Sequence, residues 1–164
     1  MTVHVDVQFA TDDEFSLSSD DIVSWVQRSL ESSNHGGDSE VSVRVVGAAE
    51  MQAINSEFRG QDKPTNVLSF SAGAIQGLPV DSGLPLGDLV ICASIVNQEA
   101  EQQGKSRQDH WGHIIVHGCL HLLGFDHEQD DDAALMEGME IEILSAYGIT
   151  NPYVDSDRES PLET

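Results

Sequence analysis

Residues 41–60, VSVRVVGAAEMQAINSEFRG, change their hydrophobic period halfway along. Val41, Val43 and Val45 recur at every second position, the pattern of a strand with one buried face, whereas from about Ala48 the residues Met51, Ile54 and Phe58 recur at helical spacing. Gly60 then stops the helix. A strand feeding directly into a helix predicts a mixed α/β class, in which a sheet buries its apolar side against helices. The same alternation precedes this unit. Val3, Val5, Val7 and Phe9 read as a first strand; Ile22, Val23, Val26 and Leu30 follow at helical spacing behind the caps Ser18, Ser19 and Asp20, and Asn34 to Gly37 end that helix.

Downstream, two short apolar runs, Asn66 to Ser71 and Leu89 to Ala93, read as two further strands. Between them AGAIQGLPVDSGLPLG (72–87) is a Gly/Pro-rich loop, long for a small domain and therefore mobile or functional. Three helical stretches follow: Ser94 to Gln103 ended by Gly104, Arg107 to Leu123 ended by Gly124, and Asp130 to Tyr147 ended by Gly148. The acids Asp130, Asp131 and Asp132 open the last of these, where the helix dipole favours negative charge. The expected fold is α/β of mixed α+β character, with a mixed sheet of about four strands packed by about five helices. Residues 1–153 read as a single domain and 154–164 as a frayed tail with little to bury. Strand order cannot be derived from the pattern.

At 164 residues the chain can form a real core without disulfides. No apolar run approaches the ~20 residues of a membrane helix, and the opening MTVHVDVQFA has neither the basic lead nor the apolar stretch of a signal peptide, so a cytoplasmic location is expected. Cys92 and Cys119 fit neither a disulfide framework nor a CxxC pair and are read as reduced and packed. The charge balance is unusual: 29 acidic against 7 basic residues give −22. Such a surface repels phosphate backbones and reads as a solvated face suited to solubility or a salty cytoplasm. The middle of the chain departs from this, since residues 41–120 hold 8 acids and 5 of the 7 bases.

The chemistry-bearing segment is HWGHIIVHGCLHLLGFDH (110–127), with five of the seven histidines. His117 and His121 stand one helical turn apart on one face. Gly124 permits a left-handed turn, after which His127 can approach from the side. The spacing H-x3-H-x2-G-x2-H thus directs three imidazoles at one point, a cage for zinc or a related divalent ion that leaves one position open. His113 and His110 continue the stripe toward the N-terminus. His113 reads as a packing or outer-layer residue, His110 as exposed, and His4 and His35 as surface histidines. Cys119 lies about 200° round the helix from His117 and from His121 and faces the core. In zinc proteases of the H-E-x-x-H-x-x-G-x-x-H type the residue after the first His is a Glu that acts as general base. Here it is Gly118, which cannot take a proton, so the peptidase reading loses its chemical step.

HGCLHLLGFDH resembles the signature of the bacterial YbeY proteins, rRNA maturation factors. NSEFRGQDKPTNVLSFS resembles the N-x-x-x-R-x-x-x-x-P-T-D-V-L-S-F block of that family, and Gly87, Asp88, Leu89, Val90 and Ile91 match its G-D-I-x-I strand. With the acidic helix and the NPY near the end, the likeness covers most of residues 40–153, while the first forty residues are similar only in pattern. Asn66 stands where the family commonly has Asp, which removes a charge beside the expected site.

The resemblance implies a metal-dependent, single-strand-specific endoribonuclease acting in maturation of the 3′ end of 16S rRNA and in late ribosome quality control. By position it implies His117, His121 and His127 as metal ligands, with one zinc or another divalent ion per chain, and Arg59 as the functionally important arginine. It further implies contact with rRNA and the small ribosomal subunit, with one of that subunit's proteins and with the GTPase Era; no membrane or DNA partner is expected. A metal and a guanidinium on either side of a phosphodiester would stabilise the charge gained in the transition state. Arg59 can fork onto phosphate where a lysine cannot. Attack by metal-activated water and attack by the ribose 2′-hydroxyl both remain open, and no residue stands out as general acid. The alternative readings are a non-catalytic ribosome-assembly factor with a structural zinc site and a hydrolase of another substrate class using the same cage.

Overall fold

In a computed structural model of the chain, residues 3–11, 18–32, 39–71, 84–123, 130–146 and 149 are described. The elements run β1 (Val3–Ala10), α1 (Ser19–Ser32), β2 (Ser39–Val46), α2 (Ala48–Arg59), β3 (Val67–Ser71), β4 (Leu84–Cys92), α3 (Ala93–Gln103), α4 (Arg107–Leu122) and α5 (Asp130–Ser145). The four strands form one sheet in the order β1-β2-β4-β3. β1, β2 and β4 are parallel and β3 pairs antiparallel with β4, so the sheet is mixed as expected.

The pleat sends alternate residues to two different layers. Val41, Val43 and Val45 of β2 and Leu89 and Ile91 of β4 face α1 and α4, where they pack with Ile22, Trp25, Trp111, Ile115 and Cys119 in the largest core. Val46, Val90 and Cys92 face the other way and meet Met51 of α2 together with Leu68. That second face is only partly covered, for Asp6, Glu40, Ser42 and Asp88 on it are exposed. A third cluster joins α4 to α5 through Val116, Leu120, Met136, Ile143 and Leu144. Helix α4 is therefore the central helix, with the sheet on one side and α5 on another.

The local signals act largely as read. Ser18 caps α1 by accepting from the Asp21 amide, and Gly60 ends α2 at φ 70°, a left-handed backbone that glycine adopts without a Cβ penalty. Cys92 and Cys119 are both buried, and burial pushes the Cys119 thiol up to about 12 despite a hydrogen bond with Ser29. Two expectations are corrected. β4 begins at Leu84, five residues before the apolar run, because Leu84, Pro85 and Gly87 of the Gly/Pro-rich segment pair with β2 and Gly87 also with β3. Phe58 is not on the buried face of α2 but 57 % exposed, packing edge-on against Phe70 at 5.4 Å between ring centres. The helix ends expected at Asn34 to Gly37, Gly124 and Gly148, most of the 72–87 segment, His35 and the 154–164 tail lie outside the described residues.

Ser106 holds the start of α4, its hydroxyl accepting from the Asp109 amide at 3.1 Å. Ser106→Ala is expected to lower unfolding stability by about 0.5–2 kcal/mol in urea titrations, and Ser106→Gly by only a few tenths. Equal losses would show that the cap is not what the hydroxyl supplies.

Candidate functional site

Beyond its exposed first turn, α4 is open among the described residues only along the histidine stripe. Ile114, Ile115, Val116, Gly118, Cys119, Leu120 and Leu122 are buried, while His113, His117 and His121 are each intermediate. The rings of His117 and His121 stand 4.6 Å apart between centres at 78°, and their Nε2 atoms face each other at 3.2 Å. Two imidazole lone pairs cannot rest at that distance without a shared proton or cation between them. His127, the third imidazole of the sequence motif, lies outside the described residues. Among the described residues no group of three or more His, Cys, Asp or Glu side chains is arranged to hold a metal ion.

Behind the stripe sits Glu140 of α5, fully buried. Its Oε1 is 2.8 Å from His113 Nε2 and its Oε2 is 3.2 Å from His117 Nδ1. Burial alone would raise this carboxyl, but the hydrogen bonds and the charge of the two histidines outweigh it and bring the group down to about 2. Burial holds His113 below its ordinary value, against the pull of Glu140. The sequence reading missed Glu140 because, among the acids of α5, it considered only Asp130, Asp131 and Asp132 at the helix start. The available signal was its place among Met136, Met139, Ile143 and Leu144, the apolar side of that helix.

Arg59 is exposed at the end of α2 and is held in two ways: Nη2 donates to the Ser69 carbonyl at 2.8 Å, and the guanidinium lies 4.9 Å over the Phe70 ring. Ser69 in turn donates through its hydroxyl to the carbonyl of Gly118 at 3.1 Å. A single strand residue thus connects the arginine to the turn of α4 between His117 and His121.

The first turn of α4 corrects one expectation. His110 is buried, not exposed, because α3 presents Glu99 to it at 2.9 Å. Asn66 reaches the same Glu99, its amide 3.3 Å from both carboxylate oxygens, and its own oxygen accepts from the Val67 amide. An Asp at 66 would put a second carboxylate against Glu99, so the amide is the matched partner there. His4 is exposed as expected.

Comparison with known proteins gives concordant results. The family model described as Endoribonuclease YbeY matches residues 7–148. Relatives named Endoribonuclease YbeY from Francisella tularensis subsp. tularensis and subsp. holarctica are each 40 % identical over 158 residues, covering 96 % of this chain and 94 % and 98 % of theirs. The solution structure of TM1509 from Thermotoga maritima is similar with a TM-score of 0.56 at 25 % identity, covering 95 % of this chain and 99 % of that one.

The packing at Gly118 gives a direct test of why no glutamate follows the first histidine. A Cβ there would come within 2.9 Å of Leu89 Cδ2 and 3.4 Å of Ser69 Oγ, so a side chain at 118 enters the sheet and not the site. Gly118→Glu is expected to yield no peptidase activity and to unfold the protein, by overpacking and by burying an unpaired carboxylate. Soluble Gly118→Glu protein with the wild-type melting temperature would contradict this packing.

Proposed function

The chain belongs to the endoribonuclease YbeY family, and on that footing we propose that it is a metal-dependent, single-strand-specific endoribonuclease of 16S rRNA 3′-end maturation and late ribosome quality control. The observation that carries the site assignment is the facing pair of Nε2 atoms. Nitrogen ligands of one tetrahedral ion at about 2.0–2.1 Å stand roughly 3.3 Å apart, and those of His117 and His121 are 3.2 Å apart. The donor set therefore fits a divalent cation, with His127 as third ligand. Zinc is the ion we assign, one per chain; other divalent ions also accept imidazole. His117 is 23 % exposed, which suits a site open to substrate better than a closed structural one.

When bound, such an ion polarises a phosphoryl oxygen and acidifies a water molecule. The remaining work falls to residues of the chain. Arg59 has five N–H donors, and with Nη2 fixed on Ser69 the guanidinium plane is pre-set to fork onto a phosphate. Because Ser69 is also bonded to Gly118, the arginine and the histidine helix are held in register without reordering when RNA arrives. Glu140 keeps His113 and His117 fixed behind the site. The substrate reading is rRNA of the small subunit in the cytoplasm, with a small-subunit ribosomal protein and the GTPase Era as partners. Among the described residues no helix is long and apolar enough to cross a membrane.

Cleavage of a single-stranded RNA, with metal content measured on the same samples, tests the proposal. Wild type should cleave and carry close to one zinc. Arg59→Glu should lose cleavage by ~10² or more while keeping zinc and fold, in line with removal of a transition-state donor. His117→Ala combined with His121→Ala should lose the metal. Cleavage that survives Arg59→Glu would make Arg59 structural, and full metal retention in the double variant would reject the cage.

A further inference from the structure

Glu140 lies where an apolar residue would be expected. It is fully buried, and the residues of α5 around it that pack on α4 are Met136, Met139, Ile143 and Leu144. A carboxylate in such a place is costly unless its oxygens are satisfied. They are satisfied by two rings of the same stripe, Oε1 by His113 at 2.8 Å and Oε2 by His117 at 3.2 Å. An ionised carboxylate accepts and does not donate, so His113 Nε2 and His117 Nδ1 must both carry hydrogen. In neutral His117 the lone pair is then on Nε2, the atom that faces His121.

We propose that Glu140 is a positioning residue that fixes the tautomer and rotation of His117, so that its unprotonated Nε2 is presented toward His121 for a divalent cation. The proposal rests on reading His117 and His121 as a ligand pair. A ligating histidine commonly donates its second ring N–H to a carboxylate, which orients the ring and raises its basicity; losing that partner lowers metal affinity about 10- to 100-fold. His113 completes the arrangement. One turn earlier on α4 and edge-on to His117 at 6.2 Å, it occupies the second carboxylate oxygen and prevents Glu140 from rotating away. The two histidines are held by a residue of a different helix, so the packing of α5 on α4 sets the ligating face.

The test uses the full chain with zinc as the probe. In metal-free wild type, imidazole ¹⁵N spectra should show His117 protonated at Nδ1 and bare at Nε2; the opposite tautomer would overturn the proposal without any variant. Glu140→Gln keeps the shape but can present its NH₂ to Nδ1, so zinc affinity measured against a chromophoric chelator should fall about 10- to 100-fold with the circular dichroism unchanged. Equal affinity in the two proteins overturns the proposal alone. Wild type that takes up no zinc removes the ligand-pair reading and this proposal with it. If Glu140→Gln does not fold, the wild-type tautomer decides.

Discussion

Helix α4 is covered on three sides, and this constraint decides where its histidines can go. Ile115 and Cys119 are committed to the sheet and α1, Val116 and Leu120 to α5, and the first turn to α3 through Trp111 Nε1 on Asn97 and His110 on Glu99. What remains is the line of His113, His117 and His121. Residues four apart stack one above another on a helix, so this line turns its imidazoles to a shared opening at no cost to the core. Gly118 makes the arrangement tight: with no side chain there, α4 settles onto Leu89 and Ser69, and Ser69 can reach the backbone of the turn that carries the histidines.

Much of this is legible in the sequence, and the parts that are not share a cause. Periodicity marks all the strands and helices, because burial of one face leaves a period of 2 or 3.6 regardless of what lies opposite. It says nothing of partners. The β1-β2-β4-β3 order, the antiparallel β3 and the five residues added to the start of β4 depend on which backbone groups meet, and Leu84 to Gly87 read as a loop because Pro85 and Gly87 break the pattern while still pairing with β2 across a register shift at Leu86. The i, i+4 histidines are visible because spacing along one helix suffices. Glu140 is 19 residues beyond His121 on another helix, and one acid among many on α5 has nothing local to single it out.

The same limit explains His110 and Asn66. Each taken alone reads as a surface histidine or a missing charge, yet with Glu99 they form a set in which one carboxylate accepts from both. The identity of residue 66 is then a matter of matching Glu99, and Asn66 serves the seam between β3, α3 and α4. Its side-chain oxygen accepts from the Val67 amide that opens β3 and its carbonyl accepts from the Cys92 amide, so it fixes the strand on which Ser69 and Phe70 hold Arg59.

A net charge of −22 is a property of the whole chain, whereas a phosphate meets the local field. Asp6, Glu40 and Asp88 are exposed on the sheet face opposite α4, since they alternate with the valines and leucine that pack against α1 and α4. The sheet separates them from the histidine stripe, but not from Arg59: Asp88 pairs across from Phe70, the ring on which the guanidinium lies. Glu140 is nearer, but its charge is shared with the two rings it holds and is shielded from solvent by α4 and α5. Arg59 and a divalent ion together would outweigh it. The acidity of the surface therefore opposes indiscriminate binding of nucleic acid at long range, which favours strands delivered to the site over strands captured from solution.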